Sequence, residues 1–360
     1  MGIATKKIKI ITVILFFILF LNSCGLIDQD AHSSSHEYND PNYFGKVDIY
    51  FLDLDKNIFF KIANGGTAGF VPKSDLVVYS KGTNPMYSSS PGINCIKIDG
   101  TGDISLAAKS TSLFISSKAP IISPNGDKVL FTASGSYYLV NVDGSFLTKI
   151  QLTDGQINLF SDYSKDGKKI LFQSNKGLVI YEVDSKTYKV ISSVENIDIY
   201  ISGFSPRFSF DGNSIIYFYQ SSTQFIMGKI NLSSITNKIL YSPADKFSDR
   251  TYSLHMCSLP DDKIVFEDIS SARICYFDLK NEKPINFFGS SNGTLESPSI
   301  FSEKIIDGKK ILYKENTSMF LYDLETKTIT PYSFPVTPLG ILANADFTSD
   351  LKKLLYYKNQ

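Results

Sequence analysis

The sequence predicts an all-β fold, a seven-bladed β-propeller in which the N-terminal and C-terminal strands share one blade. Three observations predict it. A short unit made of a β-turn and a strand recurs seven times, its copies are 41 to 52 residues apart, and the two ends of the chain carry complementary halves of one unit. Repeats of about 40–50 residues are typical of propeller blades with four strands each.

Four copies of the unit are well preserved: SPNGDKVLF from Ser123, SKDGKKILF from Ser164, SFDGNSIIY from Ser209 and IIDGKKILY from Ile305. Asn or Asp before Gly favours a tight turn, because these residues tolerate the left-handed backbone conformation. The alternation after the turn predicts a strand with Lys in solvent and Ile, Leu or an aromatic residue in the core. Three weaker copies complete the set, and the aromatic residues that close the seven copies are Tyr79, Phe131, Phe172, Tyr217, Phe266, Tyr313 and Tyr356.

A second strand follows most units and ends in an acidic or amide turn, as in YYLVNVDG from Tyr137 and RICYFDL from Arg273. The acids recur at the same point of each unit: Asp53 with Asp55, Asp99, Asp143, Asp184, Asp278 and Asp323. A residue that hydrogen-bonds its own turn recurs in this way, whereas calcium needs about six to eight oxygens that converge on one point. We therefore expect turn-forming acids and no metal site.

The two ends of the chain predict how the ring closes. The C-terminal segment ANADFTSDLKKLLYYKNQ, from Ala343, holds the first half of a unit, and KVDIYFLDLDKNIFFKI, from Lys46 to Ile62, holds the second half. One sheet made from both leaves no open edge, so residues 46–360 are expected to form the propeller. A pair of β-sandwiches and a ring of six or eight blades remain as alternatives.

The N-terminus resembles a secretion signal. Lys6, Lys7 and Lys9 precede an apolar run of 12 residues, from Ile10 to Leu21, which is too short to span a bilayer of about 30 Å. The run ends in Leu21-Asn22-Ser23-Cys24, which resembles the bacterial lipobox. We expect residues 1–23 to be a lipoprotein signal peptide and Cys24 to be acylated. An uncleaved short anchor with a buried Cys24 is the alternative.

Residues 24–45 are polar, without a hydrophobic period, and are expected to be a flexible tether. His32 and His36 fall within it and are expected to be solvated rather than metal ligands. Acyl chains on Cys24 hold a protein on a membrane without a transmembrane helix, at about 0.8 kcal/mol for each buried CH₂. The expected location is the bacterial cell envelope, facing the periplasm or the exterior, with the choice between inner and outer membrane open.

Charge and composition exclude several classes of function. Lys and Arg total 36, as do Asp and Glu, and loss of the three lysines of the signal peptide leaves 33 against 36, or a charge near −3. Nucleic-acid binding is not expected at that charge. The chain has three His and four Cys, too few for a disulfide scaffold or a metal motif. No cofactor is expected. The protein is expected to be a monomer.

Three of the four cysteines lie in the propeller. Cys95 and Cys275 fall in corresponding strands of two blades, and Cys257 falls in a different strand from Cys275. We expect three buried free thiols, with a disulfide between Cys257 and Cys275 as the alternative inside one blade.

The segment Pro206-Arg207-Phe208-Ser209-Phe210-Asp211-Gly212, followed by a hydrophobic strand, resembles the WD40-like PD40 repeat of TolB-type β-propellers. The strand IYFLDLD, from Ile49 to Asp55, is similar to another part of that repeat. The resemblance covers nearly the whole propeller region and implies the fold. Members of this superfamily include periplasmic partners of peptidoglycan-associated proteins, propeller caps of peptidases, and lipoproteins.

Catalytic chemistry has few candidate residues here. A serine peptidase needs Ser, His and an acid together, yet His255 is the single histidine after the tether, and no G-x-S-x-G elbow of a hydrolase domain is expected after the propeller. We expect no catalytic residue and no enzymatic activity. The alternative is a hydrolase or lyase that uses Asp and Arg residues lining the channel, with Arg207, Arg250 and Arg273 as the available arginines.

Three long loops are expected to lie on one face, around the channel opening: Ser80–Pro91, Ser242–Tyr252 and Gly289–Pro298. Exposed aromatic residues and Arg are favoured where proteins bind partners. The predicted partner-binding residues are Tyr87, Met86, Phe247, Arg250 and Tyr252. The expected function is to bind an envelope protein, a peptide or a glycan on this face, and loops without a partner are the alternative.

Overall fold

The chain forms seven antiparallel sheets of four strands each in a computed structural model. The structure describes residues 47–56, 58–65, 67–81, 92–107, 120–153, 155–191, 205–220, 225–241, 256–260, 262–268, 273–288, 299–306, 309–315, 318–332, 346–348 and 352–359. Within this part of the chain, no helix is long and apolar enough to cross a membrane.

Each sheet is one blade, and its strands follow one another from the channel outward. Blade 1 contains β27 (Asp346–Phe347), β28 (Lys353–Asn359), β1 (Val47–Asp53) and β2 (Ile58–Asn64). Blade 2 contains β3 (Ala68–Phe70), β4 (Leu76–Lys81), β5 (Gly92–Lys97) and β6 (Ile104–Ala107). Blade 3 contains β7 (Ile121–Ile122), β8 (Lys128–Ala133), β9 (Ser136–Asn141) and β10 (Thr148–Ile150).

The other four blades follow in chain order. Blade 4 contains β11 (Ile157–Tyr163), β12 (Lys169–Ser174), β13 (Gly177–Glu182) and β14 (Thr187–Ile191). Blade 5 contains β15 (Ser205–Phe208), β16 (Ser214–Gln220), β17 (Phe225–Asn231) and β18 (Asn237–Tyr241). Blade 6 contains β19 (Met256–Leu259), β20 (Lys263–Asp268), β21 (Arg273–Asp278) and β22 (Lys283–Phe288). Blade 7 contains β23 (Ser299–Ile306), β24 (Lys310–Glu315), β25 (Ser318–Asp323) and β26 (Ile329–Tyr332).

The two ends of the chain close the ring in blade 1. β1 pairs with β28 along its whole length, in a register that runs from Val47 opposite Asn359 to Asp53 opposite Lys353. Just beyond the strands, the backbone N–H of Leu54 donates to the carbonyl of Lys352 at 2.8 Å. The predicted seven-bladed ring with a shared blade is confirmed, and the sandwich and the six- and eight-bladed rings are excluded.

The hydrophobic core lies between neighbouring blades. One cluster joins blades 2 and 3, for example, and brings Val78 and Cys95 together with Val129 and Phe131. The second strand of each blade is therefore buried on both sides, as the full burial of Ile170, next to Leu171 and Phe172, illustrates. The expectation that alternate residues face solvent is wrong for these strands, because each blade packs against a neighbour on both faces.

The aromatic residues that close the seven repeats all lie on the second strands, β4, β8, β12, β16, β20, β24 and β28. Tyr217 shows why the position matters. Its ring lies across Gly228 on β17, where an added Cβ would come 2.1 Å from the Tyr217 hydroxyl, and that hydroxyl donates to Asn237 on β18 at 2.8 Å. One tyrosine thus links three strands of blade 5.

The propeller has two unlike faces. The connections from inner to second strands and from third to outermost strands form what we call the turn face, and they contain three to six residues, as at 260–262 and 142–147. The remaining connections form the loop face and contain two to fourteen residues, as at 134–135 and 242–255. β1 begins and β28 ends on the loop face.

Closure through β28 predicts that its buried side chains matter for stability. Leu355 is fully buried and packs with Ile49, Phe51 and Val77. We expect Leu355→Ala to lower the free energy of unfolding by about 2–5 kcal/mol, because a cavity forms where the ring closes. Lys352, whose ammonium lies 2.8 Å from Asp55 on the surface, is the control: Lys352→Ala should cost at most about 1 kcal/mol. Urea denaturation measures both, and equal losses would contradict the prediction.

Candidate functional site

The residues predicted to bind a partner lie outside the described part of the chain: Tyr87, Met86, Phe247, Arg250 and Tyr252. The strands on either side of their loops are described. Connections 82–91, 242–255 and 289–298 all join strand ends on the loop face. Two of the three run from the outermost strand of one blade to the inner strand of the next, rather than between inner strands as expected. The binding role of the five side chains remains a prediction.

The described part of the loop face contains a depression of about 280 Å³ at the junction of blades 3 and 4. Ser136, Lys149, Gln151 and Gln156 provide polar groups to its wall, and Ile150 is among its apolar residues. The depression lies where the chain leaves β10 and crosses to β11. Hydroxyl, amide and ammonium groups beside apolar carbon are suited to binding a polar ligand or a peptide.

Arg207 and Asp162 come together on the channel wall. They lie on β15 and β11, the inner strands of blades 5 and 4. The Arg207 guanidinium donates to the backbone carbonyl of Ser161 at 2.6 Å and lies 3.8 Å from the Asp162 carboxylate. Asp162 also accepts the backbone N–H of Phe208 at 2.8 Å. The pair therefore links two inner strands.

The position of this pair bears on catalysis. Arg207 and Asp162 each lie two residues before the turn that ends their strand, at the turn-face end of the channel, whereas the long loops leave from the loop face. Arg273 begins β21, the third strand of blade 6, away from the inner wall. His255 and Arg250 lie outside the described residues. Within the described ranges, no group of three His, Cys, Asp or Glu side chains could hold a metal ion.

Buried serine hydroxyls hold the turns between inner and second strands. In blade 5 the Ser209 hydroxyl accepts the backbone N–H of Ser214 at 3.0 Å and donates to Asp211 at 2.6 Å. Ser164 makes the same pair of bonds in blade 4, to Lys169 at 2.8 Å and to Asp166 at 2.7 Å. The Ser that begins the repeated sequence unit could have predicted this role, but the sequence analysis assigned it none.

The acids that recur in the turns after third strands hydrogen-bond their own turns, as predicted. Asp143 accepts the hydroxyl of Ser145 at 2.6 Å and its backbone N–H at 2.9 Å. Asp323 accepts the backbone N–H groups of Glu325 and Thr326, each at 2.9 Å. The hydroxyl and the N–H of Ser145 lower the pKa of Asp143 below its ordinary value. These carboxylates are structural.

Contacts between neighbouring turns continue around the turn face. Gly167, in blade 4, has a φ of +73°, and an added Cβ would lie 2.6 Å from the side chain of Asn125 in blade 3. The Lys165 ammonium lies 3.1 Å above the ring of Phe210 in the blade on the other side. Asp262, which stands where other repeats have Gly, also adopts a positive φ of 55°. The inner part of the turn face is therefore tightly packed.

The three cysteines of the propeller lie on strands that the structure describes. Cys95 is a buried free thiol, as predicted, and burial raises its pKa to about 11. Cys257 lies on β19 and Cys275 on β21, with β20 between them. Strands two apart are separated by about 9–10 Å, more than the Cα separation of about 7 Å that a disulfide allows. The alternative of a Cys257–Cys275 disulfide is therefore wrong.

No protein-family model and no curated protein matches the sequence. Solved structures do match the fold. Oligogalacturonate lyase in complex with manganese has a TM-score of 0.56 at 10% identity, over 86% of this chain and 90% of that one. Dipeptidyl peptidase 4 of Porphyromonas gingivalis has a TM-score of 0.52 at 14% identity over 75% of this chain, which spans about half, 46%, of the peptidase.

The putative TolB from Agrobacterium tumefaciens is also among the matching structures, with a TM-score of 0.42 at 11% identity over 88% of this chain and 99% of that one. The predicted resemblance to TolB-type propellers is confirmed for the fold by the seven blades of four strands each. Sequence identities of 10–14% show a likeness of the fold alone. Since one propeller fold can carry both enzymes and binding proteins, these matches assign no function.

The turn carboxylates predict how stability depends on pH. The Ser164 hydroxyl and the backbone N–H of Lys168 lower the pKa of Asp166, so folding favours its ionised form. This contribution is complete above the ordinary carboxyl pKa and is lost as the pH falls through the lowered folded value. We expect Asp166→Ala to reduce the free energy of unfolding by about 1 kcal/mol at pH 7, measured by urea denaturation. The difference from the unsubstituted protein should shrink as the pH falls below the ordinary carboxyl pKa, and a constant difference would contradict this account.

Proposed function

We propose that the protein is an exported, lipid-anchored propeller that binds a protein, peptide or glycan partner on its loop face and catalyses no reaction. The contrast between the two faces carries this proposal. Connections on the turn face contain three to six residues, whereas those on the loop face contain two to fourteen. Binding residues in proteins concentrate on loops held by a rigid scaffold.

The turn face has little freedom to vary. Its turns are held by the buried Ser164 and Ser209 hydroxyls and by the carboxylates that accept backbone N–H groups. The loop face instead combines long connections with the depression beside Lys149, Gln151 and Gln156. A partner that touches several loops and this depression would cover adjacent blades. This favours a surface for an extended partner over a closed pocket for a small substrate.

The anchor is proposed from the sequence. Three lysines, an apolar run of 12 residues and Leu21-Asn22-Ser23-Cys24 support export and acylation of Cys24. The tether from Cys24 reaches the propeller at the start of β1, on the loop-face side of blade 1. A chain of residues 24–45 extends to about 75 Å at 3.4 Å per residue, so it leaves the propeller free to change its distance from the membrane.

The absence of catalysis is proposed from the channel wall. Arg207 donates to the Ser161 carbonyl and lies beside Asp162, so its charge contributes to the contact between blades 4 and 5. The alternative, a hydrolase or lyase, has the support that some matching folds belong to enzymes, a peptidase and a lyase. Turnover of oligogalacturonate or of a dipeptide anilide, lost in Arg207→Met, would contradict the proposal.

Crosslinking in intact cells tests the binding face. A photoreactive amino acid replaces Gln156, beside the depression on the loop face, or Arg250, in the connection 242–255 that joins strand ends on that face. Lys186 on the turn face is replaced as a control. We expect the two loop-face probes to capture the same partner, because both positions would lie under it, and the Lys186 probe to capture none. Mass spectrometry identifies the captured species. Equal capture from Lys186, or no capture from either loop-face probe, would show that the proposal is wrong.

Metabolic labelling with palmitate tests the anchor separately. We expect label on the full chain and none on Cys24→Ala, because the Cys24 thiol is the proposed site of acylation. An unlabelled full chain would refute the anchor while leaving the binding face untouched.

A further inference from the structure

Each outermost strand begins at the outer rim of the turn face. In blades 7, 1 and 2 the first residue of this strand is isoleucine, and the exposed fractions are 45% for Ile329, 42% for Ile58 and 43% for Ile104. In blade 3 the two residues just before β10 are Phe146, 78% exposed, and Leu147, 48% exposed. These four blades are consecutive around the ring.

The outermost strands of the other three blades begin with Thr187, Asn237 and Lys283, and that of blade 3 begins with Thr148, directly after Phe146 and Leu147. The rim of the turn face is therefore divided into an apolar sector of four blades and a polar sector of three. Of the seven large hydrophobic side chains that the described residues expose, five lie in the apolar sector. We call Ile329, Ile58, Ile104, Phe146 and Leu147 the apolar rim.

Phe146 has no structural reason to be aromatic. It adopts a φ of +55°, a left-handed conformation that a bulky residue rarely takes. The last turn residues in blades 4 and 6, Lys186 and Glu282, have nearly the same φ and are polar, while Ile235 in blade 5 packs against the core. An exposed phenylalanine held in an unfavourable backbone conformation indicates a binding role.

Blades 1, 2 and 3, which carry part of the apolar rim, pack side by side. A Cβ added to Gly144, two residues before Phe146, would lie 3.5 Å from the carbonyl of Ser105, the residue after Ile104. In the same way, a Cβ on Gly100 in blade 2 would lie 3.8 Å from the carbonyl of Ile62 on β2 of blade 1. The turns that carry Ile58, Ile104 and Phe146 thus belong to blades in direct contact.

The tether reaches the propeller in this same sector. β1 begins at Val47 in blade 1, between the blades that carry Ile329 and Ile104. The strand is seven residues long, or about 24 Å at 3.4 Å per residue, whereas residues 24–45 can extend to about 75 Å. A lipid on Cys24 can therefore reach a membrane that touches the rim.

We infer that the apolar rim inserts into the surface of the membrane that holds the lipid anchor. This inference rests on the proposed anchor. Phe146 and Leu147 enter the boundary between headgroups and acyl chains, and the three isoleucines rest against it, as in other shallow membrane contacts. The turn face is then directed toward the membrane, and the loop face, on the opposite side, stays open to a partner.

The chemistry favours apolar insertion over attraction to anionic lipid. Charged residues of both signs flank the rim, including Lys56 and Lys149 with Asp99 and Asp143. The contact involves few side chains and is weak alone, but the anchor makes it intramolecular, which raises the effective lipid concentration. Binding should therefore depend little on salt or on the fraction of anionic lipid.

The chain contains no tryptophan, so Phe146→Trp introduces a single fluorescent reporter. The acylated full-length variant is reconstituted into vesicles of phosphatidylcholine and phosphatidylethanolamine, with and without brominated lipid. We expect blue-shifted emission and quenching by brominated lipid. Lys186→Trp, at the matching turn position of the polar sector, is the control and should show neither change. Equal quenching of the two reporters, or none of Phe146→Trp, would overturn the inference.

A second measurement keeps the test independent of reporter and anchor. The same chain with Cys24→Ala is incubated with an excess of these vesicles and sedimented. We expect Phe146→Ser to weaken partitioning about tenfold, since burial of one phenylalanine is lost, and Lys186→Ser to leave it unchanged. Circular dichroism confirms that both variants fold. Partitioning equal in Phe146→Ser and the parent would refute the inference, whereas a missing acyl group on the full chain would refute only the proposed anchor.

Discussion

The pairing of β1 with β28 is the constraint on which the rest of the structure depends. It sets the number of blades, because a ring closes only when the two half-units complete one sheet, and it fixes where the chain enters the propeller. It also gives blade 1 the same two packed faces as its neighbours, so that Leu355 joins the core it shares with blade 2. Without this pairing the inter-blade clusters would end at two open edges.

Once the ring is closed, the meander of each blade assigns every connection to one of two faces. The turn face is held by short-range bonds, such as those of Ser164 and Asp166, while the loop face is free to change length. The proposed partner surface and the proposed membrane contact follow from this division. The proposed partner surface is made of loops that vary in length. The proposed membrane contact is made of the outer ends of turns whose backbone is held in place.

Much of the fold is predictable from the sequence because the repeat is local. The turn residues and the closing aromatics, from Tyr79 to Tyr356, locate every second strand, and the two half-units predict the shared blade. Burial on both faces of those strands was missed, because a pattern of Lys and Ile looks the same whether one face or both are covered. Cys257 and Cys275 were placed in one blade correctly, but their separation depends on strand order. Predicted binding residues such as Arg250 belong to connections that no repeat constrains.

The order of strands in blade 1 has a consequence for biosynthesis. β1 comes early in the chain and β28 is the last strand, so an incomplete polypeptide cannot seal the circle, whatever the quality of its other sheets. Its unpaired β1 edge would remain available to proteases and chaperones until β28 has been synthesised.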